Sequence, residues 1–173
     1  MNNKIQQMLR TFSILLAIVI VLTTGCQQQR DHSKELKPIL DKGVEIWNTG
    51  NFEEVDKVWD SGVVRSANEL PEVKGIDGIK KVITSFRTAF PDLKLAIDEE
   101  IYAENKITIR WTVTGTNTGP GEMPPTGNKV NFWGISVLHL ANGKLTKEFV
   151  AFDNRALMEQ LGYTMAPPLK EAN

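Results

Sequence analysis

The stretch Ile107-Thr108-Ile109-Arg110-Trp111-Thr112-Val113 alternates apolar and polar side chains without a break. A period of two is the pattern of a β-strand with one buried face. The same alternation occurs earlier at Leu93, Leu95 and Ile97, and Glu104-Asn105 between the two stretches suits a turn. The sequence therefore predicts two paired strands in this part of the chain.

Two more strands and a closing helix are predicted downstream. Residues Gly115 to Gly127 are rich in Gly, Pro and Thr, which is typical of a loop. A third long strand runs from Val130 to Leu140, and a fourth from Leu145 to about Phe152. Asn142-Gly143 between them supplies the left-handed dihedral angles of a tight hairpin. The helix that follows ends at Gly162, and its apolar residues are Leu157, Met158 and Leu161.

The residues before Pro91 have the period of helices instead. The first helix ends near Gly50 and carries apolar residues at three- and four-residue spacing, namely Leu36, Ile39, Leu40, Val44 and Trp47, with Pro38 in or near its first turn. A short second helix starts at Asn51-x-x-Glu54 and turns Val55, Val58 and Trp59 inward. A short strand from Val63 to Ser66 separates it from a third helix, which ends at Pro91 and contains Ile79, Val82, Ile83, Phe86 and Phe90.

Helices followed by a meander of strands predict one α+β domain over residues 35–164. We expect a cone-shaped barrel, in which a curved antiparallel sheet wraps around the N-terminal helices and leaves a pocket. The tail, residues 165–173, is predicted to be disordered.

The first 25 residues are typical of a signal peptide. Lys4 and Arg10 precede an apolar run from Phe12 to Leu22, which is about half the length of a spanning helix. The following Leu22-Thr23-Thr24-Gly25-Cys26 resembles the lipobox of bacterial lipoproteins, although Thr23 stands where that motif favours leucine. We therefore expect lipidation at Cys26, a polar tether over residues 26–34, and an exported protein held on the periplasmic or extracellular face of a bacterial membrane.

Charge and cysteine content restrict the possible partners. Removal of the leader takes away two of the 20 basic residues and none of the 21 acidic ones, so the net charge changes from −1 to −3. A weakly acidic domain is not expected to bind nucleic acid. With a single cysteine in the chain, no disulfide is expected within the domain.

Six short motifs occur in the order found in a known family. They resemble the SnoaL-like polyketide cyclases, also called ester cyclases, of the nuclear transport factor 2-like superfamily, over about residues 36–163. The motifs are Val44-Glu45-Ile46-Trp47-Asn48-Thr49-Gly50-Asn51, Ala89-Phe90-Pro91-Asp92, Arg110-Trp111-Thr112-Val113-Thr114-Gly115-Thr116, Pro124-Pro125-Thr126-Gly127, Asn142-Gly143-Lys144-Leu145 and Gln160-Leu161-Gly162.

The resemblance implies a cofactor-free, intramolecular aldol ring closure. In the family an aspartate just after the last strand acts as acid and base, and the context Glu148-Phe149 before Asp153 matches it. The chain departs from the family at Ser66, which takes the place of a histidine. It departs again at His139, where a basic residue is common on the third long strand. Family members often dimerise through the sheet, so a homodimer is also expected.

Each candidate site residue has a structural alternative. Asp153 is a candidate catalytic residue but also precedes a helix, which it could cap. His139 is a second candidate acid or base, or a histidine satisfied by its surroundings. Trp111, Trp133 and Phe149 are candidates for the lining of a ligand pocket, or for plain core.

Arg110 is a further candidate for the pocket, where it could meet an acidic ligand. Its alternative role is an ion pair with Glu148 across the sheet. No metal site is expected, because His32 lies in the tether and His139 has no second histidine or cysteine near it in sequence.

Two functions therefore remain open. The first is a cofactor-free enzyme, a cyclase, isomerase or hydrolase, that acts on a small apolar carbonyl compound. The second is a non-catalytic lipoprotein that uses the same cone to bind a hydrophobic small molecule or a protein partner.

Overall fold

The computed structural model describes Gln7 and residues 31–68, 70–122 and 124–164. Cys26, the tail from residue 165 and the predicted leader apart from Gln7 lie outside this set. Within it, no helix combines the length and the apolar character needed to cross a bilayer. The elements in chain order are α1 (Ser33–Thr49), α2 (Val55–Val58), β1 (Trp59–Ala67), β2 (Val73–Lys74), α3 (Gly75–Ala89), β3 (Lys94–Ala103), β4 (Lys106–Thr116), β5 (Lys129–Ala141), β6 (Lys144–Phe152) and α4 (Asn154–Gln160).

The strands form one curved, six-stranded sheet in the order β2-β1-β6-β5-β4-β3, with helices against it. The predicted α+β class and its helix-lined sheet are confirmed. The meander β3-β4-β5-β6 is antiparallel throughout, as the sequence predicted. One pair differs, because β1 lies parallel to β6. Parallel neighbours need a long crossover, and α3 with the three strands after it provides one.

The inner face of the sheet carries the core, together with α1 and α3. Burial alternates along β5, where every second residue from Val130 to Leu140 is buried. The central strand thus presents one apolar face to the helices and one face to solvent. Helix α1 runs antiparallel to β3, since Asn48 near its end bonds the backbone of Leu95 and Lys37 near its start bonds Glu100.

Two local details differ from the sequence prediction. Helix α1 begins at Ser33, so Pro38 lies in its second turn rather than near the first. Trp59 opens β1 instead of ending α2, and it is buried in either case. The predicted end at Gly50 is confirmed, and this residue takes a left-handed φ of 71° that favours glycine.

Candidate active site

A cavity lies between the inner face of the sheet and helices α1 and α3. It encloses about 520 Å³ of space, its open mouth included. Eight of its lining residues are apolar or aromatic, namely Trp47, Phe86, Leu93, Leu95, Trp111, Val113, Phe132 and Phe152. Three polar residues share this wall, Arg65, Ser136 and Glu148.

These polar residues form a continuous chain of hydrogen bonds with Trp111. Arg65 Nε donates to Glu148 Oε2 at 3.1 Å, and Ser136 Oγ donates to Glu148 Oε1 at 3.2 Å. Trp111 Nε1 donates to Ser136 Oγ at 3.0 Å. Ser136 is only 2% exposed. Its hydroxyl group is therefore held in the wall by its two hydrogen-bond partners, Trp111 and Glu148.

The sheet register brings this group together. Arg65 of β1 is the direct neighbour of Glu148 of β6, and Ser136 of β5 is the neighbour of Val150, two residues along β6. Side chains two apart on a strand point to the same face. Strand β1, which is distant in sequence, and the consecutive strands β5 and β6 therefore each contribute one polar group to the same wall.

Arg65 and Glu148 are largely removed from water. Their side chains are 11% and 12% exposed. Burial of a charged side chain costs free energy unless an opposite charge is paired with it. Each of these two side chains therefore compensates the burial of the other. Glu148 accepts two hydrogen bonds, although an ionised carboxylate has about four acceptor positions.

The Arg65 guanidinium has N–H donors that form no hydrogen bond with the described residues. Its Nε bonds Glu148, and its central carbon lies 5.9 Å from the centroid of the Trp47 ring. Neither Nη atom has a hydrogen-bond partner among the described residues. Beside a carboxylate with free acceptor positions, the cavity thus offers N–H groups that could bind a ligand oxygen.

The cavity adjoins a broader groove. Arg65, Phe86 and Phe152 line both, and the groove encloses about 1450 Å³ of space, solvent at its opening included. Its walls come mainly from α3 and α4 and are largely apolar; they include Val82, Phe90, Leu157, Met158 and Leu161. A ligand that placed one end at Arg65 would find room for an apolar body in the groove.

The sequence model of the SnoaL-like polyketide cyclase family matches residues 39–161. The chain belongs to this family. The match begins within α1 and spans the other helices, the sheet and all four residues of the hydrogen-bonded chain. A comparison with curated proteins gave no match.

Solved structures agree with this family and with its fold. AclR, a candidate hydroxylase from Streptomyces galilaeus, is 28% identical over 78% of this chain and 85% of its own, with a TM-score of 0.66. A candidate polyketide cyclase from Bacillus cereus is 25% identical over 74% and 80%, with a TM-score of 0.63. A candidate SnoaL-like polyketide cyclase from Jannaschia is 18% identical over 82% and 99%, with a TM-score of 0.69, which shows the shared fold.

Of the residues singled out from the sequence, Trp111 lines the cavity. Asp153 does not; it is exposed and stands at the start of α4, where its Oδ1 accepts a hydrogen bond from the Ala156 amide at 2.9 Å. The carboxylate that the family resemblance pointed to thus has the geometry of a helix cap here, and the carboxylate inside the cavity is Glu148.

The expected pocket lining by Trp133 and Phe149 is wrong. The residues are 55% and 41% exposed on the outer face of the sheet. Strand alternation is the reason, because Gly134 and Ser136 point inward on β5 and leave Trp133 to point outward. The same alternation on β6 sends Glu148 inward and Phe149 outward.

His139 and Arg110 also lie on the outer face. The His139 ring meets Phe149 edge-on at 5.9 Å, and partial burial, with Lys106 and Lys147 nearby, lowers the pKa of this imidazole. Arg110 binds Asp98 at 2.9 Å and Glu99 at 3.3 Å. The anticipated Arg110–Glu148 pair is not formed, since Glu148 lies on the other side of the sheet.

Sequence reasoning missed the roles of Arg65, Ser136 and Glu148. The family resemblance placed Ser66 at a functional position, but Ser66 bonds Glu72 at 3.3 Å outside the cavity, and its neighbour Arg65 points in. The signal was present, because Arg65 lies between Val63 and Ala67 on the buried face of β1. Among the described residues, no three His, Cys, Asp or Glu side chains are grouped so that they could hold a metal ion.

Proposed function

We propose that this SnoaL-like protein is a cofactor-free acid/base enzyme that closes a ring in a small apolar carbonyl compound by an intramolecular aldol reaction. The observation that carries the proposal is the Glu148–Arg65 pair, with an N–O distance of 3.1 Å, in the wall of an apolar cavity. Family membership and the 25% identity to a candidate polyketide cyclase support the same reaction class.

The proposed reaction begins with proton abstraction. Glu148 takes a proton from an acidic C–H group next to a carbonyl, and the electron pair of that bond moves onto the carbonyl oxygen as an enolate. The free Nη–H groups of Arg65 donate to this oxygen where its negative charge develops, which lowers the barrier in a dry site. The apolar wall keeps water away from the enolate.

Ring closure returns the proton. The enolate carbon attacks a second carbonyl of the same molecule, forms the new C–C bond and leaves an alkoxide. Protonated Glu148 then gives its proton to that alkoxide and becomes a carboxylate again. Atoms and electrons balance without any cofactor, since the product is an isomer of the substrate.

Ser136 and Trp111 are positioning residues in this scheme. Trp111 donates to Ser136 and thereby directs the Ser136 hydroxyl hydrogen toward Glu148. That bond occupies one acceptor position of Oε1 and holds the carboxylate in place. The remaining acceptor positions of Glu148 are those that would meet the substrate proton.

A test compares Glu148→Gln with wild type and with Glu99→Gln, a matched change on the exposed outer face. Purified protein would be screened by mass spectrometry for bound or converted lipophilic carbonyl compounds. We expect Glu148→Gln to lose turnover by a factor on the order of 10² to 10⁴, while Glu99→Gln converts at the wild-type rate. Equal conversion by Glu148→Gln would remove Glu148 as the base.

The second candidate function is ligand binding without catalysis. It is favoured by one observation, the capping geometry of Asp153, because the carboxylate implied by the family lies outside the cavity. In the same screen, a compound that copurifies with wild type and Glu148→Gln, and that neither protein converts, would support this function.

We also propose that the protein is exported and anchored through lipidated Cys26, on the strength of the leader and the lipobox-like Leu22-Thr23-Thr24-Gly25-Cys26. Replacement Cys26→Ala should release the protein from membranes into the soluble fraction and change the mass of the processed chain. A Cys26→Ala protein that still fractionates with membranes at the wild-type mass would refute the anchor.

We propose that the partner is a second copy of this chain, bound through the outer face of the sheet to form a homodimer. Four large apolar residues are exposed on this face and form what we call the outer patch, Ile101, Trp133, Ile135 and Phe149. On its β3 side, Asp98 and Glu99 share one cation, Arg110, which leaves an excess negative charge in this group, and basic Lys147 lies on its β6 side. A two-fold axis parallel to the strands would bring these opposite charges toward each other across the patch.

A further inference from the structure

The two strands that carry the charged pair continue from the cavity into the groove. Strands β1 and β6 lie side by side and run in the same direction, with Arg65 opposite Glu148. Beyond this pair, Ala67 at the end of β1 and Phe152 at the end of β6 both line the groove. A ligand whose head is held at Arg65 can therefore extend along these strands into the groove.

The groove is apolar inside and polar at its edge. Its buried and half-buried lining residues are apolar apart from Arg65 and Asn117, and Asn117 already uses both of its amide atoms in bonds to Ala89 and Thr126. The other polar lining residues are exposed, namely Lys81, Ser85, Glu122 and Asn154. The inside of the groove is therefore suited to an uncharged, apolar part of a ligand.

The helical walls of the groove are long enough for an extended chain. On α3 the lining residues run from Lys81 to Ala89, which corresponds to about 12 Å along a helix. On α4 they run from Asn154 to Leu161, or about 10 Å. An extended alkyl chain with C–C bonds of roughly 1.5 Å gains about 1.3 Å per carbon, so these walls match a chain of about eight carbons.

The part of the groove beyond β1 stays apolar where it is exposed. Leu70 and Pro71 line it there, and the Leu70 amide donates to the Ala67 carbonyl at 2.9 Å. Leu70 is 57% exposed, whereas the loop between β4 and β5 contributes the carboxylate of Glu122 to the lining. An apolar chain that leaves the cavity is therefore expected to run toward Leu70, where it would remove apolar surface from water.

We infer that the substrate is an amphiphile, with a β-dicarbonyl head at Arg65 and Glu148 and an unbranched alkyl chain of about eight carbons that lies in the groove and extends to Leu70. The head is uncharged, because Glu148 would repel a second carboxylate. Met158 gives the groove an adaptable wall that suits a flexible chain. The head group rests on the proposed function, and the chain rests on the groove alone.

The test measures how binding depends on chain length. The full chain is titrated with acetylacetone and with analogues in which one terminal methyl group is replaced by a butyl, hexyl, octyl or decyl chain. Tryptophan fluorescence gives the dissociation constants, since Trp47 and Trp111 line the cavity. We expect the dissociation constant to fall by about two- to fourfold for each added methylene group as far as the octyl compound, and little beyond it. Equal affinity for all five compounds would overturn the inference.

Leu70→Ser is the variant and Leu70→Met its matched control, because Met keeps an apolar contact at this exposed position. We expect Leu70→Ser to weaken binding of the octyl compound by roughly three- to tenfold and to bind acetylacetone as wild type does, whereas Leu70→Met binds both compounds normally. Unchanged binding of the octyl compound by Leu70→Ser would overturn the inference. So would a length dependence that appears only after residues 165–173 are removed, since the tail of the chain would then be the natural occupant of the groove.

Catalysis is followed separately, as exchange of the hydrogen between the two carbonyl groups for solvent deuterium above the rate in buffer. This exchange is the first step of the proposed reaction and should be lost in Glu148→Gln, while the length dependence of binding remains. Length-dependent binding without exchange by wild type would refute the proposed function and support the inferred chain. Exchange without length dependence would refute the inference and leave the proposed function standing.

Discussion

At the scale of single residues, the Arg65–Glu148 pair determines which substitutions are informative. Truncation of one member of a buried ion pair leaves the other charge without compensation and costs about 3–5 kcal/mol of stability. A Glu148→Ala variant would therefore confuse loss of folding with loss of activity. Gln keeps the side-chain size and an oxygen that can accept from Arg65 Nε, but it leaves the Arg65 charge without its partner. The melting temperature of Glu148→Gln is therefore measured beside its turnover, and a folded variant without turnover identifies loss of the base.

Asp153 gives a second prediction at this scale. As an exposed helix cap that accepts from Ala156 N, it should tolerate Asn, which caps about as well as Asp, whereas Ala should lower the free energy of unfolding by about 1 kcal/mol. Urea denaturation of the three proteins measures this. A large loss of turnover in a stable Asp153→Asn variant would instead restore this residue to the catalytic role implied by the family.

At the scale of elements, strand β5 shows how one small residue shapes the cavity wall. A Cβ atom placed on Gly134 would lie 2.3 Å from Trp111 Cζ2 and 2.8 Å from the Ala151 carbonyl oxygen. The Trp111 ring therefore occupies the space that a side chain at position 134 would need, and this allows its indole N–H to reach Ser136.

We predict that Gly134→Ala destabilises the domain by about 3 kcal/mol, at the upper end of the usual cost of overpacking, and weakens ligand binding because Trp111 must move. Gly62→Ala is the matched control, since its Cβ would meet only Asp60 Oδ1 at 3.4 Å. The melting temperatures of both variants, measured by thermal unfolding, test this prediction. Equal melting temperatures for the two variants would show that the Trp111 ring does not exclude a side chain at position 134.

A buried side chain helps to hold the loop between β4 and β5, together with a backbone bond from the Gly119 amide to the Ala89 carbonyl oxygen at 3.2 Å. Asn117 is 3% exposed; its Oδ1 accepts from the Thr126 amide at 2.8 Å and its Nδ2 donates to the Ala89 carbonyl at 3.3 Å. A segment predicted only as a loop is thus fastened to α3. Since Asn117 also lines the groove, this attachment positions part of the groove wall.

At the scale of the whole molecule, the two faces of the sheet have different roles. The inner face builds the cavity and the outer face carries the outer patch. A large exposed apolar patch on a soluble domain is typical of an association site. This is the basis for the proposed homodimer.

Replacement Trp133→Lys should convert the dimer to a monomer, because it replaces the largest exposed side chain of the outer patch with a charge. Thr84→Lys, an exposed position on helix α3 and away from the outer face, is the control and should leave the dimer intact. Sedimentation velocity of soluble protein that begins at Gln27 measures both. Wild-type protein that sediments as a monomer at every concentration would contradict the dimer.

The sequence by itself determined the order and type of the elements apart from the short edge strand β2, which it did not predict. Periodicity is a local property, and 3.6-residue repeats before Pro91 and two-residue repeats after it were enough to predict the helices, the meander, the Asn142-Gly143 hairpin and the α+β class. The six motifs added the family, which the match over residues 39–161 shows.

Only the tertiary structure decided which polar residues meet. Arg65 and Glu148 are 83 positions apart, and they are neighbours because β1 lies parallel to β6, a pairing that no local pattern specifies. Whether Trp133 lines the cavity or faces solvent depends on which of two alternating faces of β5 turns inward. The helices settle that choice by covering one face, and a shift of one residue reverses every side chain on the strand.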